Sequence, residues 1–274
     1  MMMRWRSGLS LTLGLSLGAA AMLVVPSGPA GAFDIASHRA VYKMTLGKTA
    51  SGSTVVDAQG AMLMEWGDSC EGWTVEQRYR LNLRYNQGSE SDIAVTFVTY
   101  EAKDGSSYRF FVERNRPMGG SENVSGRAER SGETGGLASF AQPAPEKIDL
   151  PKDFMFPTEH TLAILTAAES GKRFLAARVF DGNEVEGAME ITAAIGSRIP
   201  ASAETDVPEL LRRPSWPVRL AFFGAKAQAS GQPDYELGLR LYDNGIATDL
   251  KLDYGDFVVD ATLEKVEALS DPGC

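Results

Sequence analysis

The sequence predicts an all-β domain: an antiparallel sheet, barrel-like or strongly curled, with one helix that fills or caps it. Three observations carry that prediction. Apolar and polar residues alternate with period two along most of the chain, the pattern of strands with one buried face. Turn signals, Lys103-Asp104-Gly105, Asp181-Gly182-Asn183 and Asp243-Asn244-Gly245, punctuate the alternating runs. Helical spacing stands out in one stretch, Phe156 to Phe174.

In chain order, the first segment is not part of that sheet. Arg4 and Arg6 precede an uncharged apolar run from Leu9 to Val25, and small residues lead to Ala30-Gly31-Ala32. This is the composition of a cleaved secretory leader over residues 1–32, leaving 33–274 as the mature, single domain. An uncleaved membrane anchor is the alternative, but the 17-residue run is at the short end of what spans a bilayer. Phe33, not a cysteine, stands directly after the cleavage site, so a lipid-anchored lipoprotein is not indicated.

Strands are expected at 37–46, 54–65, 73–85, 91–101, 106–114, 173–180, 184–195, 217–225, 235–241, 246–254 and 256–268. The clearest is WTVEQRYRLNLRY. Trp73, Val75, Tyr79, Leu81, Leu83 and Tyr85 share one face with Gln77 the exception; Thr74, Glu76, Arg78, Arg80, Asn82 and Arg84 share the wet one. In the helix, Pro157 precedes Thr158 as N-cap, Glu159 lies in the first turn, and Gly171 follows the end. Leu162 and Leu165 are expected to anchor it on the concave side of the sheet. The stretches 117–151 and 199–217 read as loops, the first with a short strand or two, because a structureless connection that long is uncommon.

Charge and motifs exclude more than they assign. The net charge of −9 becomes more negative once Arg4 and Arg6 are removed with the leader, so nucleic acid and anionic lipid surfaces are not expected partners. Past the leader no segment is apolar enough over a bilayer's width to span one. Gly14-x-Ser16-x-Gly18 fits a nucleophile elbow but lies in the leader. Gly47-Lys48-Thr49 resembles the end of a P-loop, with Tyr42 where its first glycine belongs. Asp181 to Gly187 lacks a calcium ligand at Val185. Asp249 and Asp253 fall on a wet strand face. His38 and His160 are read as ordinary hydrogen-bonded histidines, with no partner spacing for a metal or a base. No catalytic, cofactor-binding or metal residue is assigned, and no cofactor is expected. The two cysteines, Cys70 and Cys274, both outlast cleavage and have one possible pairing, so in an oxidising compartment a structural disulfide is expected. Trp66 and Trp73 flank Cys70 and are read as packing around it.

Several long strings together, SHRAVYKMTL, CEGWTVEQRYRLNLRY, FVTYEAKDGSSYRFFVERNR, FPTEHTLAILTAAESGKRFLAARVFDG, YELGLRLYDNGIATDLKLDYGDFVVDATL and the terminal PGC, resemble the EipB family of alphaproteobacterial periplasmic cell-envelope integrity proteins. The resemblance implies a periplasmic, monomeric β-spiral, an open barrel of antiparallel strands with a helix, closed by a disulfide between the early and terminal cysteines. It implies a role in envelope integrity and stress resistance, without a known enzymatic activity or a defined ligand. The function expected is that of a non-enzymatic protein that binds other envelope proteins. Two alternatives stand beside it: a carrier holding a lipid or lipoprotein in the curled sheet, and a hydrolase of envelope polymers.

Overall fold

The structure is a computed structural model that describes residues 33–116, 120–224, 227, 230–270 and 273. The leader expected over residues 1–32 and the terminal Cys274 lie outside the described residues. The described residues from Phe33 onward form one contact unit.

Long alternating segments give long strands at the start: β1 (His38–Thr49), β2 (Val55–Asp68), β3 (Gly72–Tyr85), β4 (Glu90–Ala102) and β5 (Ser107–Arg116). β6 (Gly120–Arg130), β7 (Gly136–Gln142), β8 (Glu146–Leu150) and the two-residue β9 (Phe154–Met155) follow. The helix α1 (Pro157–Glu169) leads to β10 (Phe174–Val179), β11 (Met189–Ile195), β12 (Ser215–Phe223), β13 (Tyr235–Tyr242), β14 (Ala247–Asp253) and β15 (Phe257–Ala268). The segment 117–151 therefore contributes three strands, not the short strand or two expected of a loop. Several of its glycines and serines sit within ladders, and Gly126 lets Phe110 and the β7 backbone approach closely.

Among the described residues the strands form one sheet in the order β8-β7-β6-β5-β4-β3-β2-β1-β15-β14-β13-β12-β11-β10-β9. Consecutive strands are neighbours except β8 and β9, and the first and last strands pair in the middle. The sheet's two edges, β8 and β9, are consecutive in the chain, so a three-residue link brings them together and the sheet curls into a nearly closed barrel. That closure is tighter than the open barrel expected. The antiparallel expectation also fails at one place: β9 and β10 pair in parallel, with α1 as the crossover.

α1 starts two positions earlier than the Thr158 cap implied. Phe156 is its N-cap and Pro157 occupies the first turn, where proline's missing N–H costs nothing. Leu165 is fully buried against the inner residues Ala177, Val179, Ile191, Ala193 and Val218 of β10–β12, whereas Leu162 is only half-buried at the margin of that cluster. A second cluster is aromatic, with Tyr108, Phe110, Phe140, Phe154, Phe156 and Phe180 in mutual ring contact at the seam between the sheet's edges. A third packs Tyr42, Met44, Met62, Leu81, Leu83 and Val259 inside β1–β3 and β15.

The strand expected over 184–195 begins only at Met189. The preceding residues seal the seam instead. Tyr108 donates its hydroxyl to the Asp181 carbonyl at 2.9 Å, and Arg114 donates to the Asn183 carbonyl and, at 2.7 Å, to its side-chain oxygen. Gly182 is required between them: its φ is +67°, and a Cβ there would lie 2.4 Å from the Phe110 ring.

Candidate functional site

Chemistry-bearing side chains gather in two places, inside the seam and on the outer face of the long strands.

Inside the seam, Glu101 of β4 reaches the start of α1. Its two carboxylate oxygens accept the backbone N–H groups of Thr158 at 2.7 Å and Glu159 at 2.8 Å. These are donors that a helix leaves unsatisfied at its N-terminus, so a distant strand supplies the cap that Phe156 cannot. Burial pushes the Glu101 carboxyl up to about 7, against the lowering effect of those two N–H bonds. Arg130 of β6 clamps the same corner. It donates to the carbonyls of Gly105 at 2.9 Å and Phe154 at 3.1 Å and to the Glu159 carboxylate at 2.6 Å, while lying over the Phe154 and Phe156 rings. These groups hold α1 and β9 against β4–β6.

The two histidines differ. His38 is buried, with Nδ1 2.7 Å from the Ala36 carbonyl, as expected. His160 on α1 departs from the expectation: its Nε2 is buried with no hydrogen-bond partner among the described residues, and burial lowers its pKa to about 4. Burial also lowers that of His38. Neutral, separately enclosed rings are poorly placed to shuttle protons at pH 7. Trp66 packs into the α1 cluster. Trp73 is half-buried with the Lys103 ammonium 5.5 Å from its ring centre. Cys70 sits in the exposed β2–β3 turn at φ 66°, its N–H bonded to Asp68 Oδ1 at 2.7 Å. It is not a free thiol; its expected partner, Cys274, lies outside the described residues.

On the outer face, three hollows of about 700, 540 and 390 Å³ follow β3 and β4. Together they make a trough. Beneath it β2 and β3 approach closely at Gly60, where any Cβ would meet the Arg80 carbonyl oxygen at 2.1 Å. Register explains the trough's shape. Arg80 is flanked by Ala61 on β2 and Ala94 on β4, and beyond them by Lys43 on β1 and Asn115 on β5. The alanines leave the guanidinium without cross-strand cover. One position along, Asn82 lies between Gln59 and Asp92 and donates to the latter at 2.9 Å. One position the other way, Arg78 lies between Leu63 and Thr96 and pairs with Glu76 at 2.5 Å. Farther along, Val98 faces Phe111, both exposed, and Arg109 lies 5.1 Å from the Tyr100 ring centre. Among the described residues, neither Lys43 nor Arg80 has an ion-pair partner. The alternation of WTVEQRYRLNLRY identifies these residues only as a wet face. What it misses is the pair of alanines on neighbouring strands, which only register brings beside Arg80.

Among the described residues no cluster of three or more His, Cys, Asp or Glu side chains could hold a metal ion. No helix there is long and apolar enough to cross a membrane.

Three comparisons place this architecture among known proteins. A family model described as EipB-like matches residues 29–270. Cell envelope integrity protein EipB of Brucella abortus (strain 2308) is 30% identical over 247 residues, 87% of this chain and 86% of its own length. A crystal structure of a beta-barrel-like protein of a domain of unknown function, also from Brucella abortus, superposes with a TM-score of 0.80 at 27% identity, over 87% of this chain and 100% of its own. A match that runs through nearly all of β1–β15 leaves no part of the fold to a different ancestry: the chain belongs to the EipB-like family.

Proposed function

We infer that this chain is a periplasmic, monomeric, non-enzymatic protein that maintains cell-envelope integrity by binding other envelope proteins. The observation that carries this reading is its full-length similarity to a protein named for envelope integrity. The use of the buried ionisable groups supports it. Glu101 caps a helix and Arg130 clamps a seam, so both are structural supports. The carrier reading has less support, because side chains of the three clusters and α1 occupy the inner face of the sheet and a carrier needs an open apolar cavity there.

A strain lacking the protein is expected to lose resistance to detergent and other envelope stress, and the intact gene restores it. A null strain with wild-type resistance would refute the role. Native mass spectrometry of protein purified from its own periplasm separates the modes of action: a co-purified protein fits binding, and a bound lipid fits the carrier.

The Cys70–Cys274 disulfide belongs to the same proposal. Ser37 accepts a hydrogen bond from Leu269 N at 2.9 Å and another from Asp68 N at 3.0 Å. The end of β15 therefore arrives beside the turn that carries Cys70. Closing so long a loop would stabilise the fold by about 5 kcal/mol at most. No alkylation of the folded protein without reductant, and two labels after reduction, is the expected result; two labels without reductant would contradict it.

A further inference from the structure

We propose that the outer trough over β2–β5 is a binding site for a carboxylate-bearing glycan strand, separate from the protein binding proposed above. Four features of the trough lead there.

The first is charge. The chain is acidic, yet the row across the trough's centre reads Lys43, Ala61, Arg80, Ala94, Asn115, Ser121. It holds two cations and no acid. Lys43 and Arg80 are two strands apart, about 10 Å by strand spacing, and neither has an ion-pair partner among the described residues. The acids along the trough are engaged: Asp92 accepts from Asn82 at 2.9 Å, Glu113 accepts from Asn115 at 3.4 Å, Glu65 holds Arg39 at 2.6 Å and Glu76 holds Arg78 at 2.5 Å. An unpaired guanidinium in a hollow is a fork for a carboxylate.

The second is the uncharged lining. Gln59, Asn82, Asn115 and Ser121 line the largest hollow with Arg80 and Asp92. Amides and hydroxyls both donate and accept, which suits a ligand whose hydroxyls do the same.

The third is the apolar end. Val98, Phe111 and the Tyr100–Arg109 stack border the hollow of about 390 Å³, a surface on which the C–H face of a sugar ring can lie.

The fourth is the backbone. The strands under the trough are paired on both sides, β2 with β1 and β3, and β3 with β2 and β4. An extended peptide is recognised chiefly by adding to a free strand edge, and there is none here. A ligand on this face must be held by side chains alone, along a line that follows β3 from Thr74 to Asn82 for about 27 Å at strand rise.

The test uses the full mature chain and three probes: peptide-free oligosaccharides of alternating N-acetylglucosamine and N-acetylmuramic acid, the neutral chitohexaose, and a polyglutamate peptide. Calorimetry reads affinity and amide NMR shifts read location. The carboxylated glycan is expected to bind with shifts confined to residues 43, 59–63, 74–82, 92–100, 109–115 and 121. Chitohexaose is expected to bind about tenfold more weakly or not at all, since it lacks the carboxylate and a charge-assisted hydrogen bond is worth about that factor. Polyglutamate has the carboxylates but no sugar hydroxyls or ring face for the amide lining and the apolar end, and is expected to bind more weakly than the carboxylated glycan. Arg80→Ala with Lys43→Ala should lower affinity for the carboxylated glycan about tenfold or more and leave the melting temperature unchanged. No binding of the carboxylated glycan, equal binding of the neutral one, equal or tighter binding of polyglutamate, or indifference to the double substitution would each overturn the proposal.

Discussion

The long-strand wall, β1–β5, and the seam, β6–β10 with α1, enclose the same barrel by different physics. The wall is held by backbone ladders that run ten or more residues in register from β2 to β4. Its inner face is mostly apolar, with Glu101 on β4 and Arg114 on β5 reserved for the seam, and its outer face is left to solvent and ligands. At the seam the ladder lapses between β8 and β9. Side chains replace it: an aromatic cluster, Glu101 on the start of α1, Arg130 on two carbonyls and a carboxylate, and Arg114 on Asn183. Polar groups enter an interior where the backbone cannot close it. Sensitivity to substitution should therefore concentrate at the seam.

The largest effect is expected from Phe180→Ala. Its ring touches Tyr108, Phe110 and Phe140, and its loss should cost about 3–5 kcal/mol in urea unfolding. A loss below about 1 kcal/mol would show that the seam packing is not what holds the barrel shut. Next, Leu165→Ala should cost about 2–5 kcal/mol, and Leu162→Ala, half-buried at the same cluster's margin, about 1 kcal/mol. Equal costs would place the helix differently on the sheet.

A smaller, pH-dependent effect follows from the seam's two displaced titrations. Glu101, raised to about 7, keeps its proton in the folded state over a range where the unfolded chain has released it. Its contribution is full at low pH and is lost as pH rises toward 7. His160, lowered to about 4, acts in the opposite sense, and its contribution is lost as pH falls from the unfolded value toward 4. Between about pH 4.5 and 6.5 the two offset each other. Relative to the wild type, Glu101→Gln should gain stability with rising pH by up to about 1.4 kcal/mol per unit, and His160→Met should lose it at a similar rate. Stability profiles parallel to the wild type in both variants would refute the opposed pair. The smallest effect belongs to the wall's outer face: Arg80→Ala should shift stability by no more than about 0.5 kcal/mol.

What could be read before the structure follows the same division. The wall's strands are visible because alternation and backbone pairing express the same rule, and 73–85, 91–101 and 256–268 match β3, β4 and β15 within a residue or two. The Asp243-Asn244-Gly245 turn is equally legible, with Gly245 at φ 82°. At the seam, local pattern and global role part company. The alternation of 184–195 suggests a longer strand, but Tyr108 and Arg114, about 70 residues upstream, hold Asp181 and Asn183 just before it, and Arg114 pairs with Glu184 at its start at 3.2 Å. Thr158 has the chemistry of an N-cap, but Glu101 performs that task. The trough was hidden for a related reason: Ala61 and Ala94 are unremarkable until register sets them on either side of Arg80.

The pairing of β1 with β15 bears on the order of assembly. A chain is made, and if exported threaded, from its N-terminus, and β1 to β8 can zip as successive neighbours as they emerge. β1 nonetheless keeps one open edge until the last strand arrives. The contact that completes the sheet is also among the most distant along the chain, and such contacts form slowly because long loops must close first. Throughout biogenesis the nascent sheet therefore offers a long unpaired strand to its surroundings, a template for wrong pairing. A chain interrupted before Phe257 would keep that edge permanently, so the abundance of such truncations in the cell should depend on holdase chaperones more than that of the whole protein.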